Sequence, residues 1–416
     1  MAKRFKPRWE LLARRDVVAF LLFLAALIVG CLQLTPPKHF GAGYESIAIA
    51  WNLAQHGSFS NPFGALPTGP TAVNPPLYPL LLAALIKIFK SFPTVFRVAQ
   101  LGCILANAAT AALLPLVSLG LFGELVPGVA ASALWLVAMP MIASWDISYT
   151  IAGLLLFCLL TGSSMEKDRH AVGFGLLGGV LAGGLFLLNN SSLLVMAPSL
   201  AFQGLRERRN ARRVVKYSGV LVATFCIIGS AWAWRNYRQL GAFVLRTNLG
   251  MTLYASNNDC AESSLIKDEA NNCYQYHHPN VNPVEAELLR SMGEVKYDRM
   301  RLGDAKNWIR ENPRRFLELI NHRFVEFWFP PVEESAVKTY AIWAATALSI
   351  PGLLLMAYRR EPAFLFLVAT LTIYPPLYYV VVSDVRYRYP VLWLSMLATG
   401  YAIGQLSKLF GDGPAT

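Results

Sequence analysis

Two carboxylates, Glu45 and Asp146, lie beside apolar segments, where an unpaired charged side chain is energetically costly. Glu45 begins a short amphipathic stretch, residues 44–55, and Asp146 lies in SWDISYT, where one apolar segment ends and the next starts. A positioned carboxylate can accept a proton from a reacting hydroxyl as a general base, and it is costly near a membrane unless it has a task or a partner. Two structural alternatives stay open: a helix-dipole interaction for Glu45 and an N-cap role for Asp146.

Arginines that alternate with tyrosines form the second candidate group. The sequence SDVRYRYP contains Arg386 and Arg388 on either side of Tyr387, and WAWRNYRQLGAF contains Arg235. Guanidinium groups bind phosphate in bidentate fashion, so these residues predict a clamp for a phosphate group. The alternatives are an interfacial aromatic belt for the tyrosines and anchoring of Arg235 to lipid headgroups.

Cys260 and Cys273 differ from the other four cysteines, which lie in apolar stretches and are expected to be inert. Both belong to an acidic, Asn-rich segment. A disulfide between them is expected if that segment faces an oxidising compartment, and two unpaired thiols are the alternative. His277 and His278 are close in sequence, but the cysteine pair alone offers too few ligands for a metal site.

The composition excludes an ordinary cytosolic enzyme. Of the 416 residues, 55% are hydrophobic and only 15% are charged, whereas a soluble domain carries about a quarter charged residues. The net charge of +12, from 37 Lys and Arg against 25 Asp and Glu, is compatible with nucleic-acid binding. The positive-inside rule for membrane proteins explains it better, provided that the excess lies in loops on one side.

About ten stretches are predicted to span a membrane, since a spanning helix needs about 20 mostly apolar residues. They are 17–35, 98–121, 125–144, 147–163, 171–187, 191–204, 217–234, 338–357, 363–382 and 390–409. The basic segments MAKRFKPRWELLARRD and RERRNARRVVK then both fall on the cytoplasmic side. Residues 17–35 are expected to be a retained anchor, and residues 77–90, too short to span, an interfacial helix on the outer face.

These segments predict an all-α polytopic membrane protein with amphipathic helices and a small, mostly helical domain on its outer face. Residues 1–234 form an N-terminal transmembrane module that includes a first outer loop, 36–97. Residues 235–337 form the extracytoplasmic domain, in which Pro313 separates at least two helices. Residues 338–416 form the C-terminal transmembrane helices.

Several long stretches of the chain resemble the C-type membrane glycosyltransferases related to bacterial aminoarabinose transferases and protein O-mannosyltransferases. The stretches are, in order, GYESIAIAWNLAQHGSFSNPFGALPTGPTAVNPPLYPLLLAALIKIF, WRNYRQLGAFVLRTNLGMTLYASNN, MGEVKYDRMRLGDAKNWIRENPRRFLELINHRFVEFWFP and DVRYRYP. The resemblance implies an inverting enzyme that moves a sugar from a polyprenyl-phosphate carrier to a lipid, glycan or protein acceptor. It also implies a bacterial inner membrane with the active face in the periplasm.

The resemblance also implies roles for the two carboxylates. In the family an Asp stands near the start of the first outer helix, ahead of a pattern that reads IAWNL here. The corresponding position is Ala42, or Phe40 if Tyr44 sets the register, and neither is acidic. Glu45 is therefore expected to be the catalytic carboxylate by substitution, with Asp146 positioning the acceptor or supporting a metal.

The arginines would stabilise the lipid phosphate that leaves as the sugar is transferred. Arg386 and Arg388 are expected to share one outward-facing cavity with Glu45, with Tyr387 beside them and Arg235 as a further candidate. The sequence contains no nucleotide-phosphate loop and requires no cofactor, although a divalent metal is compatible with this chemistry. Nucleic acid is not an expected partner.

Two other classes of function compete with a transferase. A transporter or lipid flippase would need polar residues inside its spans, and the predicted spans are nearly free of them apart from Asn107, Asn189 and Asn190. A catalytically inactive scaffold would use the outer domain to bind a partner. A scaffold should tolerate the loss of Glu45, whereas a transferase should not.

Overall fold

The computed structural model describes residues 8–36, 45–141, 145–164, 171–332 and 335–411. The structure is 79% helical, and no strand occurs in the described part of the chain. This confirms the predicted all-α class.

The helices fall into three groups along the sequence. The first group is α1 (Arg8–Leu32), α2 (Glu45–His56), α3 (Leu77–Phe89), α4 (Phe92–Phe122), α5 (Val126–Ala138), α6 (Ile147–Ser164), α7 (Ala171–Leu188), α8 (Leu193–Arg206) and α9 (Ala211–Leu240). The second is α10 (Leu249–Ser256), α11 (Leu265–Ala270), α12 (Cys273–His277), α13 (Pro283–Met292), α14 (Glu294–Glu311) and α15 (Pro313–Trp328). The third is α16 (Ala336–Tyr358), α17 (Ala363–Ile373), α18 (Pro376–Tyr379) and α19 (Tyr389–Gly411).

Among the described residues, five helices are long and apolar enough to cross a membrane. They are Arg15–Leu32, Phe92–Phe122, Ala171–Leu188, Arg208–Leu240 and Ala336–Tyr358, and they coincide with five of the predicted spans. The other five predicted spans coincide with α5, α6, α8, α17 and α19, which fall outside that set. The chain is thus a membrane protein by length and composition of its helices, and the total of ten spans stays a prediction.

Helices α2 and α3 pack against each other and against α4. Ile47, Tyr78, Leu82 and Cys103 are buried where the three helices meet, so Ile47 covers protein, whereas Trp51 of the same helix is exposed. Helix α3 has 13 residues, too few to span a bilayer. Its position on the outer face remains a prediction.

Helix α19 lies at the centre of the main core. Its residues 389–401 are all buried, and the helix packs against α5 and α16. The backbones approach closely at glycine: a Cβ on Gly400 would lie 2.0 Å from the carbonyl oxygen of Pro127. A small residue is therefore required there, as at close helix contacts in membranes.

The second group of helices has a core and charge pairs of its own. Glu285 and Arg301 form a salt bridge whose two side chains are each 11% exposed, and the Tyr297 hydroxyl donates to Glu285 at 2.7 Å. Helix α14 ends at Glu311 and α15 begins at Pro313, where the sequence predicts a break.

Substituting Ala for Gly400 is expected to destabilise the protein by about 1–3 kcal/mol, because the added methyl would collide with backbone that cannot rotate away. The matched control is Gly404→Ala, one turn further along α19, where the nearest atoms would be 3.5 Å away. This control should be neutral or slightly stabilising, since Ala favours helix over Gly by up to about 1 kcal/mol. The apparent Tm in detergent measures both, and equal values for the two variants would contradict the packing argument.

Candidate active site

Arg235 holds the first outer loop in place instead of facing a cavity. Its Nη1 donates to the Thr71 carbonyl at 2.6 Å, and its Nη2 donates to the Phe59 carbonyl at 2.8 Å. The guanidinium also lies over the rings of Phe59 and Trp232, about 5 Å from each centroid. Both of these donors are therefore committed to backbone carbonyls, and a role of Arg235 in phosphate binding stays a prediction.

The two residues after Thr71 are fixed in the same way by other side chains. Buried Glu294 accepts the Ala72 N–H at 2.7 Å and the Thr247 hydroxyl. Arg246 donates from Nε to the Val73 carbonyl at 2.7 Å. Burial raises the pKa of Glu294 to about 7, against the lowering effect of its hydrogen bonds. The loop is thus bonded on consecutive residues to α9, to the start of α14 and to the segment that joins α9 to α10.

A cavity of about 560 Å³ lies between the first outer loop, the start of α6, the second group of helices and the segment before α19. Its polar lining includes four of the residues predicted from sequence, Glu45, Asp146, Arg386 and Tyr387. It also includes three that sequence reasoning did not select, Arg246, Asp268 and His278. Carboxylates and guanidinium groups therefore share one enclosed surface.

Glu45 is the first residue of α2, and its side chain is 15% exposed. Burial raises the pKa of Glu45 above its ordinary value, while the positive charges of Arg386 and Arg246 oppose that rise. A carboxylate in this state binds a proton more readily than a solvated glutamate does. That property suits a general base.

Asp146 lies just before α6, and two side chains orient its carboxylate. The Thr150 hydroxyl donates to Oδ2 at 2.7 Å, and the Asn189 amide donates to the same oxygen at 2.9 Å. Burial raises the pKa of Asp146, and both hydrogen bonds oppose that change. Asn189 in turn accepts from the Ser191 hydroxyl at 2.7 Å, so the carboxylate is held by the segment that joins α7 to α8.

Arg386 is held at the cavity wall by an aromatic ring and a carboxylate. Its guanidinium lies 4.4 Å from the ring centroid of Trp145, and its Nε is 3.1 Å from Asp384 Oδ2. Tyr387 stacks on Tyr378, with centroids 4.5 Å apart and ring planes 20° apart. Arg386 is therefore positioned in advance, which suits stabilisation of an anion.

Arg388 does not line the cavity. The residue is 1% exposed, donates from Nη2 to Ser395 Oγ at 2.7 Å, and lies over the Trp328 ring at 4.7 Å. The structure therefore does not bring Arg388 into one cavity with Glu45. The chain forms a 3-10 helix at Val385–Tyr387, and with three residues per turn, positions two apart point in different directions.

Arg246 and His278 were missed because their proximity depends on tertiary folding. Arg246 stands alone in the apolar stretch FVLRTNLGM, and such an isolated charge was the signal that could have found it. His278 packs its ring on Tyr274, with centroids 4.6 Å apart. Asp268 accepts the Glu262 N–H at 2.6 Å, a bond that stabilises the turn before α11.

Cys260 and Cys273 form a disulfide in the structure, within the segment that carries α11 and α12. Among the described residues, one group of three potential ligands lies close enough to hold a metal, namely Cys260, Cys273 and His277. Two of the three are joined in the disulfide. The described residues of the cavity thus do not form a three-ligand site.

The positions that correspond to the family's aspartate, Ala42 and Phe40, lie outside the described residues. After residue 36, Glu45 is the next residue of this loop that the structure describes. In the described part of the chain, the residues that line one cavity include Glu45, Asp146, Arg246 and Arg386.

Comparison with known proteins identifies the fold. No family model matches the chain, and no curated protein matches it. Among solved structures, the oligosaccharyltransferase AglB from Archaeoglobus fulgidus, in complex with an inhibitory peptide and a dolichol-phosphate, has a TM-score of 0.54 at 12% identity over 96% of this chain. The apo form of the Archaeoglobus fulgidus oligosaccharyltransferase has a TM-score of 0.57 at 14% identity over 99%.

A third structure, that enzyme in complex with Zn and sulfate, has a TM-score of 0.56 at 14% identity and covers 94% of this chain. The present chain spans about half of these proteins, 52%, 52% and 49% of their lengths. Oligosaccharyltransferases are glycosyltransferases with the C-type fold. The likeness confirms that this chain has the same fold, as the sequence resemblance led us to expect.

Glu294→Gln tests the electrostatics of the loop attachment. The pKa of Glu294, about 7 in the folded protein, exceeds the ordinary value of 4.5. The stability gained by protonation is therefore complete below pH 4.5 and lost as the pH rises through 7. Gln carries no charge at any pH, so the free energy of unfolding of the variant, relative to wild type, should rise between about pH 5 and about pH 8. The slope is at most about 1.4 kcal/mol per pH unit, and the apparent Tm of both proteins across this range measures it.

The control for this comparison is Glu287→Gln, because Glu287 is exposed on α13. Its Tm relative to wild type should not vary with pH over that range. A pH-independent difference for Glu294→Gln would show that the Glu294 carboxyl ionises in the folded protein as readily as in the unfolded chain.

Proposed function

We propose that the chain is an integral-membrane glycosyltransferase that moves a sugar from a polyprenyl-phosphate carrier to an acceptor hydroxyl. One observation carries the proposal: two carboxylates and two arginines, Glu45, Asp146, Arg246 and Arg386, line a single cavity in a protein with the C-type fold. The reaction needs a base for the acceptor and cations for the departing phosphate, and this cavity offers both.

Glu45 acts as the general base in the proposed reaction. The acceptor oxygen bonds to the anomeric carbon while the bond from that carbon to the phosphate oxygen breaks, and the acceptor proton passes to the Glu45 carboxylate. The electron pair of the broken bond leaves on the lipid phosphate. A single displacement from the opposite face inverts the configuration at the anomeric carbon.

Arg386 and Arg246 stabilise the charge that grows on the leaving phosphate. Each guanidinium is fixed by other contacts, Arg386 by Trp145 and Asp384 and Arg246 by the Val73 carbonyl. Fixed donors stabilise developing charge most where water is excluded, because they need not reorganise during the reaction.

Asp146 positions the acceptor. Its Oδ2 already accepts from Thr150 and Asn189, so the carboxylate is oriented before the substrate arrives. The acceptor is a lipid, glycan or protein hydroxyl, and no step of this proposal passes through a metal. If the enzyme uses a divalent cation, the Asp146 carboxylate is the group that would support it.

The cavity has an apolar side that suits a prenyl chain. Its apolar lining residues include Leu188, Leu193, Leu194, Leu377 and Val381. Burial of a hydrocarbon chain against such residues contributes about 25 cal/mol per Å² of apolar surface. The AglB structure in complex with a dolichol-phosphate supports a lipid-phosphate donor for a protein of this fold.

The proposed topology has ten spans, with the cavity on the outer face of a bacterial inner membrane. It comprises a transmembrane module (1–234), an extracytoplasmic domain (235–337) and C-terminal transmembrane helices (338–416). The positive-inside rule supports this orientation, because the basic loop that contains Arg206, Arg208 and Arg209 then faces the cytoplasm.

Glu45→Gln and Asp146→Asn are expected to lower sugar transfer by roughly 100-fold or more, because each removes a carboxylate to which the proposed reaction assigns a role. Transfer is measured in membranes with a radiolabelled polyprenyl-phosphate donor pool at matched expression. Glu287→Gln, an exposed carboxylate on α13, is the control and should transfer at the wild-type rate.

Wild-type transfer in both variants would contradict the assigned roles. Absence of transfer by wild-type protein, with donor that a known transferase consumes, would favour the scaffold instead. In that case the binding of a partner by the outer domain should survive Glu45→Gln.

Arg386→Gln should weaken the binding of polyprenyl phosphate by roughly 10- to 100-fold, since a hydrogen bond to a charged group contributes about 1.5–3 kcal/mol. Arg388→Gln should leave this affinity unchanged, because Arg388 faces Ser395 and Trp328 inside the protein. The change in Tm with added polyprenyl phosphate measures both. Weaker binding by Arg388→Gln alone would place the phosphate site at the start of α19.

A further inference from the structure

His278 lies at the cavity wall, sandwiched between two aromatic side chains. Its ring stacks on Tyr274, with centroids 4.6 Å apart and planes 17° apart, and meets the Phe63 ring edge-on at 5.7 Å. The residue is 7% exposed. These contacts fix the ring plane, so the direction of each ring nitrogen is fixed as well.

The protonation of the two ring nitrogens follows from one hydrogen bond. The backbone N–H of Asn280 donates to His278 Nδ1 at 3.1 Å, and a backbone N–H can only donate. Nδ1 therefore carries the lone pair, and in the neutral ring the proton is on Nε2. Nε2 lies 4.0 Å from Glu45 Oε1.

The ring is neutral at physiological pH. Burial lowers the pKa of His278 to about 3. An N–H of a neutral ring therefore faces the carboxylate of Glu45. The separation exceeds the usual hydrogen-bond distance of about 2.7–3.2 Å, as is common for catalytic hydrogen bonds before the substrate binds.

We propose that His278 is a positioning residue that donates its Nε2–H to Glu45 Oε1 when substrates fill the cavity. This inference rests on the proposed function and adds a residue to it. The hydrogen bond holds one carboxylate oxygen in a set direction and leaves the other oxygen to accept the proton of the acceptor hydroxyl. His278 thus acts through Glu45 and contacts no reacting atom.

A neutral donor suits this position better than a third cation would. The charged and titratable groups that face Glu45 from other elements are Arg246, Arg386, Tyr274 and His278. The two arginines already favour the ionised carboxylate, and a protonated His278 would favour it further and weaken Glu45 as a base. The neutral N–H provides orientation with a smaller loss of basicity.

The turn that fixes His278 also contacts the first outer loop. Asn280 donates its N–H to the ring, and its side-chain Oδ1 accepts the Gly64 N–H at 2.9 Å. The donor and the loop that follows α2 are therefore attached to the same residue. This arrangement keeps the distance between His278 and Glu45 small.

The test compares His278→Ala with His278→Gln in the sugar-transfer assay, as a function of pH. Loss of the donor should lower kcat by roughly 10- to 100-fold, with little change in KM for the donor lipid. The acid limb of the rate profile should move to higher pH in His278→Ala, because a hydrogen bond that favours the ionised carboxylate is gone. His278→Gln should restore most of the rate and the wild-type limb, since its amide N–H can reach the position of Nε2.

His277→Gln is the matched control. The neighbouring His277 faces the Tyr254 hydroxyl, at 3.1 Å, and does not line this cavity, so its variant should keep the wild-type rate and pH profile. The apparent Tm of each variant separates loss of folding from loss of the donor.

Four outcomes would overturn the inference. If a folded His278→Ala variant transfers sugar at the wild-type rate with an unchanged acid limb, this inference is overturned and the proposed function is not. If folded His278→Ala and His278→Gln lose the same transfer rate and the acid limb of neither moves, the His278 ring contributes packing and not a hydrogen bond to Glu45. If EDTA abolishes transfer, and a divalent ion restores it in the wild type but not in His278→Gln, His278 is a metal ligand instead. No transfer by wild-type protein would overturn the proposed function and this inference together.

Discussion

The hydrogen bond from Arg246 Nε to the Val73 carbonyl is the constraint on which the rest of the site depends. It ties a cavity arginine to the loop that follows α2, and α2 begins with Glu45. The loop is bonded on its two preceding residues to Arg235 and Glu294. A carboxylate and a guanidinium from distant parts of the sequence are therefore held at a fixed separation, which the proposed displacement reaction would require because its reacting atoms tolerate little misplacement.

Burial and charge act in opposite directions on the base, and both are needed. Desolvation raises the pKa of Glu45, whereas the positive charges of Arg386 and Arg246 act to lower it. In this cavity Arg246 and Arg386 act on Glu45 through their charge, while the salt bridge of Arg386 is made with Asp384. The cations are thus available for the phosphate without fully neutralising the base.

Local patterns in the sequence predicted the helices and some of the site, and tertiary contacts decided the rest. The all-α class and the start of a helix near Glu45 follow from hydropathy, and charges beside apolar segments singled out Glu45 and Asp146, which line the cavity. Arg388 lies apart from the cavity that Arg386 lines because the 3-10 helix at Val385–Tyr387 turns the chain between them. Arg246 and His278 reach Glu45 only through long-range packing, and a single sequence carries no signal for that distance.

A covalent crosslink in the segment that carries α11 and α12 also helps to order the surroundings of Glu45. The disulfide between Cys260 and Cys273 closes a short loop, and a crosslink of that kind removes freedom from the unfolded chain worth about 3 kcal/mol. Helix α12 starts at Cys273, and its C-cap is His278. The crosslink therefore restricts the helix that ends in the Nε2–H donor, so an oxidising compartment would contribute to the geometry of Glu45 as well as to stability. This connection gives a physical reason for a disulfide-bonded segment beside a cavity whose proposed chemistry uses no cysteine.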